Sequence, residues 1–258
     1  MDDSFVEKLE NELFCLKYEI KAMSDVLIKG QLERWIPGFS LPHTEVEHLA
    51  RYEWVEQFVE GKRVLDIACG AGLGSYVLAT TGKAKEVFGF DIDPDIIRYA
   101  SSRRQHPNLV FKVANAEQFE MDSGLDVIIN FETIEHLAKP ELFLRQAKNL
   151  LKDHGELFVS TPISSKPFEE NPSNHYHVRE WGFTQFQDLV SKYFAIKSIF
   201  VQLYPPKKTL LDRIVFKMLN QHKPLYFPKP VLWSPDLIGI SKLGSSMTGY
   251  QILRCQSV

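Results

Sequence analysis

Glu132, Glu135 and His136, in the segment FETIEHL, are able to move a proton or hold a cation. At spacings i, i+3 and i+4 they share one face of a turn or helix. Two carboxylates and an imidazole could ligate a hard divalent metal such as magnesium. His177 would then complete the set, with water and a substrate hydroxyl in the remaining positions. Alternatively, with no metal, His136 or His177 takes a proton from a hydroxyl nucleophile while Glu132 orients the imidazole. The metal-free base is the expectation, because the fourth ligand would have to come from the next loop, whose position the sequence does not fix. In that loop, NHYHVRE, His175 and Arg179 accompany His177, and the three together suit contact with a substrate. The bland reading of the acidic segment is helix capping and packing.

A second chemical segment is VLDIACGAGLG, residues 64–74. A glycine turn between a strand and a helix lets a ligand touch backbone amides at a helix N-terminus. Gly70 and Gly72 are the expected positions of closest approach, with Ala71 between them. Asp66, near the strand end, could accept from loop amides or from an ammonium group. A dinucleotide fingerprint would want its third glycine at 75, where this chain has Ser75, so pyrophosphate binding is disfavoured. Asp91 ends the next apolar run, VFGFDID, about where a ribose diol is bound in nucleotide-binding α/β folds. Asp93 before Pro94 reads as an N-cap followed by proline at N1. Asn115, in VANAE, could bond an adenine edge through its side-chain carbonyl, with the amide of Ala116 or Glu117 donating to a ring nitrogen.

The elements that must hold these residues follow from periodicity. RVLDIA, EVFGFDID, LVFKVAN, LDVIINF and ELFVSTP are short apolar runs at 63–68, 86–93, 109–115, 125–131 and 156–162. Helical segments intervene, which predicts βαβ units and a mostly parallel sheet with helices on both faces. Further strands are expected at about 195–204 and in the final GYQILRCQSV.

In order and spacing, VLDIACGAGLG, VFGFDID, VANAE and LDVIINFETIEHL resemble the motifs of class I S-adenosylmethionine-dependent methyltransferases over about residues 60–165. Ala68 stands where many members have the first glycine. The resemblance implies a Rossmann-like seven-stranded sheet whose last strand runs antiparallel between the fifth and sixth. It also implies S-adenosylmethionine as cofactor, bound by Asp66, Gly70, Ala71, Gly72, Asp91, Ile92, Asn115, Ala116, Glu117, Asn130 and Phe131. Arg51 and Tyr52, in HLARYEW, could fold back over it, with Arg51 pairing the cofactor carboxylate. Similar E-x-x-E-H-L segments occur in small-RNA 2′-O-methyltransferases and in ubiquinone-pathway O-methyltransferases, some of which bind a metal there. Outer segments, ERWIPG and STP followed by NHYHVREW, resemble methyltransferases of bacterial surface-glycan synthesis. The acceptor implied is a sugar or glycan hydroxyl. A phenolic, quinone-like or lipid acceptor is the alternative, and a non-catalytic cofactor-binding subunit of a glycan-assembly complex is a third reading.

Composition is consistent with this reading. The chain has 258 residues, a formal net charge of −3 and 44% hydrophobic residues, an ordinary globular balance that disfavours a nucleic-acid partner. Cys15, Cys69 and Cys255 form neither a disulfide framework nor a zinc ribbon. No apolar run is long enough to span a membrane, so a cytoplasmic protein is expected, with peripheral membrane association left open. Residues 1–43 read as an N-terminal helix and connector, 44–258 as the catalytic domain, and 205–247 as an insertion before the last strand. The helix, 4–29, carries Leu9, Leu13, Leu16, Ile20, Met23 and Leu27 as one apolar stripe, expected to pack on the domain, with pairing of two subunits as the alternative.

Overall fold

The computed structural model describes residues 3–29, 34–203, 232–233 and 249–257. Five strands, β1 (Arg63–Ile67), β2 (Glu86–Asp91), β3 (Leu109–Val113), β4 (Leu125–Phe131) and β5 (Leu151–Pro162), pair in parallel in the order β3-β2-β1-β4-β5. The sheet continues through β10 (Gly249–Gln256), β8 (Ala195–Leu203) and the two-residue β9 (Leu232–Trp233). β10 runs antiparallel to both β5 and β8. The order expected of seven strands is therefore present, and β9 adds an eighth at one edge.

The apolar runs are continuous because the central strands are covered on both faces. Alternate residues divide into two cores. Leu65, Ile128, Leu157, Val159 and Leu253 face α5 (Pro140–Leu150) and α6 (Phe183–Ser191), where Phe143 and Phe186 are fully buried. Val64, Val127, Ile129, Phe158 and Ile252 face α2 (Pro42–Val55) and α3 (Leu73–Ala79). Between β5 and α6, where the sequence suggested only a polar loop, β6 (Phe168–Glu170) and β7 (Arg179–Trp181) form an antiparallel pair. The helix expected at TLLDRIVFKMLN, like most of the 205–247 insertion, lies outside the described residues.

The N-terminal helix α1 (Asp3–Lys29) packs on α4 (Pro94–Arg103), but not through the face expected. Cys15 and Ala22 are buried with Phe14 and Tyr18 against Ile96, Ile97 and Tyr99. Glu12 and Glu19 both pair with Arg103, and Tyr99 Oη donates to Glu19 at 3.0 Å. Phe14, Cys15, Tyr18 and Ala22 lie on the side of the helix away from the leucine stripe, and Glu12 and Glu19 on its flank. The stripe itself points away from the domain, with Leu9, Leu13, Leu16, Ile20, Met23 and Leu27 all exposed. Intramolecular packing of the stripe is thereby corrected: an ion-pair and aromatic face holds the helix instead.

Candidate active site

A cavity of about 950 Å³ opens at the carboxyl ends of the strands, the edge where ligands sit in open α/β sheets. Its floor comes from the turn after β1, where Ala68 (φ 63°) and Gly70 (φ 54°) adopt left-handed backbone. A Cβ at Gly70 would meet no atom within 4 Å, so the backbone here borders open cavity. Gly70 N–H donates to Asp91 Oδ2 at 3.0 Å, and Asp93 N–H donates to Asp91 Oδ1 at 3.1 Å. Each carboxylate oxygen keeps lone-pair capacity for a further donor. Asp93 caps α4 by accepting from Asp95 N–H at 2.8 Å, with Pro94 at the first helical position, as its sequence context suggested. Ile92, 59% exposed, lies against the same space. Ala116, Glu117 and Phe131 also line it. Asn115 does too, but its side-chain carbonyl accepts from Glu117 N–H at 2.9 Å, closing a turn instead of facing an adenine edge.

Several expected contacts lie behind this wall. Asp66, Ala71, Gly72, Asn130 and Arg51 do not line the cavity. A Cβ on Gly72 would stand 2.5 Å from the Phe111 ring and 2.9 Å from Ala100 Cβ, so this glycine permits close packing on β3 and α4. Asn130 Nδ2 donates to the Ile67 carbonyl at 3.3 Å. Asp66 is fully buried and accepts from Tyr52 Oη at 3.0 Å and Ser75 Oγ at 2.6 Å. Burial pushes its pKa up to about 6, against the lowering effect of Ser75 and Tyr52. Arg51 is also fully buried, donates to Gln202 Oε1 at 2.6 Å and lies 4.7 Å over the Tyr250 ring. The reason is helical phase: Thr44, His48 and Tyr52, four residues apart on α2, line the cavity, and Arg51 points toward β8 and β10.

His48 was not anticipated, although its spacing to Tyr52 in HLARYEW was a usable signal. It stacks on Trp35 with centroids 5.3 Å apart, and burial, then the nearby Arg51, hold its pKa well below the usual histidine range. Arg34 was missed too; it lines the cavity and pairs with Asp93, with Asp91 at 3.8 Å.

The acid–imidazole cluster forms the far wall. Glu132 follows β4 in left-handed backbone (φ 52°), and its Oε1 accepts from Ser160 Oγ at 2.6 Å. Glu135 sits in a 3₁₀ turn, Ile134–His136, is 1% exposed, and accepts from Thr161 Oγ1 at 3.2 Å. Burial raises the pKa of both carboxyls, and the charge of Glu132 raises that of Glu135 further. His136 Nδ1 lies 2.7 Å from the Tyr176 carbonyl, which can only accept, so Nδ1 carries the proton and Nε2 is the basic nitrogen. His177 Nδ1 pairs with Glu180 at 2.6 Å, and its Nε2 accepts from Asn174 Nδ2 at 2.9 Å. The expected role of Glu132 as orienter is thus corrected: Tyr176 orients His136, and Glu180 orients His177. Glu135, His136 and His177, without Glu132, bring ligand atoms within 4.8 Å of one another. His175 also lines the cavity, whereas Arg179 turns away to donate to the Ala138 carbonyl at 2.9 Å.

The profile of a methyltransferase-domain family matches residues 58–196. The chain belongs to that family. S-adenosylmethionine is the family's cofactor, and the open backbone at Gly70, the Asp91 carboxylate and the exposed Ile92 fit its amino-acid, ribose and adenine parts in kind. Curated relatives include a probable S-adenosylmethionine-dependent methyltransferase of Mycobacterium tuberculosis, 30% identical over 61% of this chain and 58% of the relative. A ubiquinone biosynthesis O-methyltransferase of Coxiella burnetii is 30% identical over 49% of this chain and 56% of the relative. The matches thus span less than two thirds of these relatives' lengths. Likenesses of fold include the Haemonchus contortus phosphoethanolamine N-methyltransferase 2 in complex with S-adenosyl-L-methionine (TM-score 0.54, 15% identity, 80% of this chain and 52% of that one). The cyclase SpnF is another (TM-score 0.57, 17% identity, 81% of each chain).

Three outcomes follow for this methyltransferase domain. Asp91→Ala removes a cavity-lining carboxylate at the end of β2 and should weaken S-adenosylmethionine binding by about 1–3 kcal/mol, roughly five- to 150-fold, in calorimetry. Gly72→Val should instead lower thermal stability through Phe111, and wild-type melting would refute that packing role. The raised pKa of Asp66 gives a pH signature. Between its unfolded value of 3.8 and about 6 the folded state keeps a proton that the unfolded state has lost. Its contribution to stability therefore falls as pH rises through that window, by about 3 kcal/mol in total at most. Relative to the parent, Asp66→Asn should lose less stability, or gain more, between pH 4 and 6 in denaturant unfolding; an unchanged slope would contradict it.

Proposed function

We propose that this chain transfers a methyl group from S-adenosylmethionine to a hydroxyl of a sugar or glycan, in surface-polysaccharide biosynthesis. The observation that carries the O-methylation reading is His136, whose Nδ1–H is tied to the Tyr176 carbonyl so that Nε2 is the proton-accepting nitrogen in the cavity that Asp91 also lines. The polar character of that wall supports a polyhydroxylated acceptor: Glu132, Glu135, His136, Asn174, His175 and His177 all reach it. The glycan assignment rests on the resemblance of the outer segments. A phenolic or quinone-like acceptor is the second reading, favoured by the Coxiella relative and by Trp35, Tyr176 and Tyr250 in the lining.

S-adenosylmethionine would supply a methyl group already activated on sulfonium, so alignment of the nucleophile is the main requirement. His136 Nε2 takes the hydroxyl proton. His177 is less suited, since Asn174 already donates to its Nε2. Burial raises the pKa of both carboxyls, and the charge of Glu132 raises that of Glu135 further. An ionised carboxylate accepts from a hydroxyl of the acceptor, and a carboxyl that holds its proton donates to one. Glu135, His136 and His177 could alternatively hold a divalent cation that lowers the hydroxyl pKa.

Labelled methyl transfer to a panel of nucleotide sugars and lipid-linked oligosaccharides tests the acceptor; label entering only polyprenyl phenols would establish the second reading. With an acceptor in hand, His136→Ala should cut kcat by about 10²–10⁴-fold with cofactor affinity unchanged, and His177→Gln by much less. Activity abolished by chelator and restored by magnesium would replace the base with a metal.

A further inference from the structure

The bare stripe on α1 is more regular than a helix needs for packing on its own domain. Val6, Leu9, Leu13, Leu16, Ile20, Met23 and Leu27 are spaced 3, 4, 3, 4, 3, 4, an unbroken heptad a/d series through the helix Asp3–Lys29. All seven are exposed, from 36% at Val6 to 78% at Leu27. A strict 3.5-residue period is the signature of a supercoiled seam rather than of a broad core-facing stripe. The residues that hold α1 to α4 are Asn11, Phe14, Cys15, Tyr18 and Ala22 at the b, c and f positions, with Glu12 and Glu19 at g, on the margin of the stripe. One side of the helix is therefore anchored, and the other is left as a two-residue-per-heptad ridge.

We propose that this ridge is a parallel, two-stranded coiled-coil interface with a second copy of the same chain. β-Branched Val6 and Ile20 at a, with Leu9 and Leu16 at d, follow the pattern of two-stranded parallel coils. The flanking charges select the orientation. In parallel register g-position Glu12, still 52% exposed beside Arg103, meets e-position Lys17 of the partner, twice by symmetry. An antiparallel arrangement would bring Glu12 toward Glu19 of the partner, placing like charges together. A membrane surface fits less well, because the helix carries six acidic residues against four basic ones (Asp3, Glu7, Glu10, Glu12, Glu19, Asp25; Lys8, Lys17, Lys21, Lys29).

Analytical ultracentrifugation of the full chain should give twice 29.7 kDa. Leu16→Glu with Ile20→Lys should weaken the dimer at least 100-fold while leaving circular dichroism and cofactor binding unchanged. Ile20→Cys should oxidise to a disulfide-linked dimer, since equivalent a positions face each other only in the parallel arrangement. A monomeric parent chain at tens of micromolar overturns the proposal. If that monomer also loses thermal stability in the Leu16→Glu, Ile20→Lys variant, the stripe is covered within its own chain instead. A monomer that sediments with vesicles of anionic phospholipid makes the ridge a lipid contact and equally overturns it. Failure of Ile20→Cys to cross-link in a dimeric chain overturns the parallel orientation.

Discussion

Asp66 is the constraint on which the site depends. A carboxylate with no solvent contact must find donors within the protein, and here they come from two different helices. Tyr52 brings α2 to the end of β1, and Ser75 brings the first turn of α3 to the same group. Gly74 lacks a side chain because a Cβ there would lie 2.1 Å from the Tyr52 ring. The phenol can therefore reach the acid only across that glycine. Once Tyr52 is fixed, helical spacing fixes His48 and Thr44 on the cavity wall. One buried acid thus sets the angle at which the N-terminal segment roofs the cofactor space.

The opposite wall obeys a different rule. β4 ends in a left-handed residue, Glu132, and the chain then tightens into a single 3₁₀ turn that drives Glu135 inward. The turn also carries His136 toward the loop that holds Tyr176 and His177. Val178 N–H donates to the Glu135 carbonyl at 2.9 Å, stitching the two loops together. The acid–imidazole wall is built from backbone contacts between two connections, with the β6–β7 pair beneath them, so its geometry belongs to loops held by a rigid sheet.

Much of this was legible in the residues. Continuous apolar runs announced buried parallel strands, and Gly70, Asp91 and the Asp93-Pro94 cap were placed by turn chemistry. What escaped prediction was phase and partnership. Spacing of four groups Thr44, His48 and Tyr52 on one face of α2 and sets Arg51 off it, but which face meets the cavity depended on Asp66 capturing Tyr52. The heptad series on α1 was visible, but which side of the helix met the domain depended on Arg103 and Tyr99, on a helix distant in sequence. Glu180 as the partner of His177 depended on a short antiparallel pair that the polar composition of 163–182 concealed.

The position of β10 has a consequence for how the chain acquires its shape during synthesis. β5 and β8 never touch as neighbours; Gly249–Gln256 lies between them, with its hydrogen bonds shared in both directions. Until those residues leave the ribosome, β5 presents an unpaired edge, and β8 has no sheet to join. The portion from β1 to β5 can assemble early around its own parallel pairs, but it does so with an open flank of the kind that recruits other strands. Burial of Ile252, Leu253 and Cys255 closes that flank in one late step. Nascent chains stalled before residue 249 should therefore be the most aggregation-prone species this protein passes through.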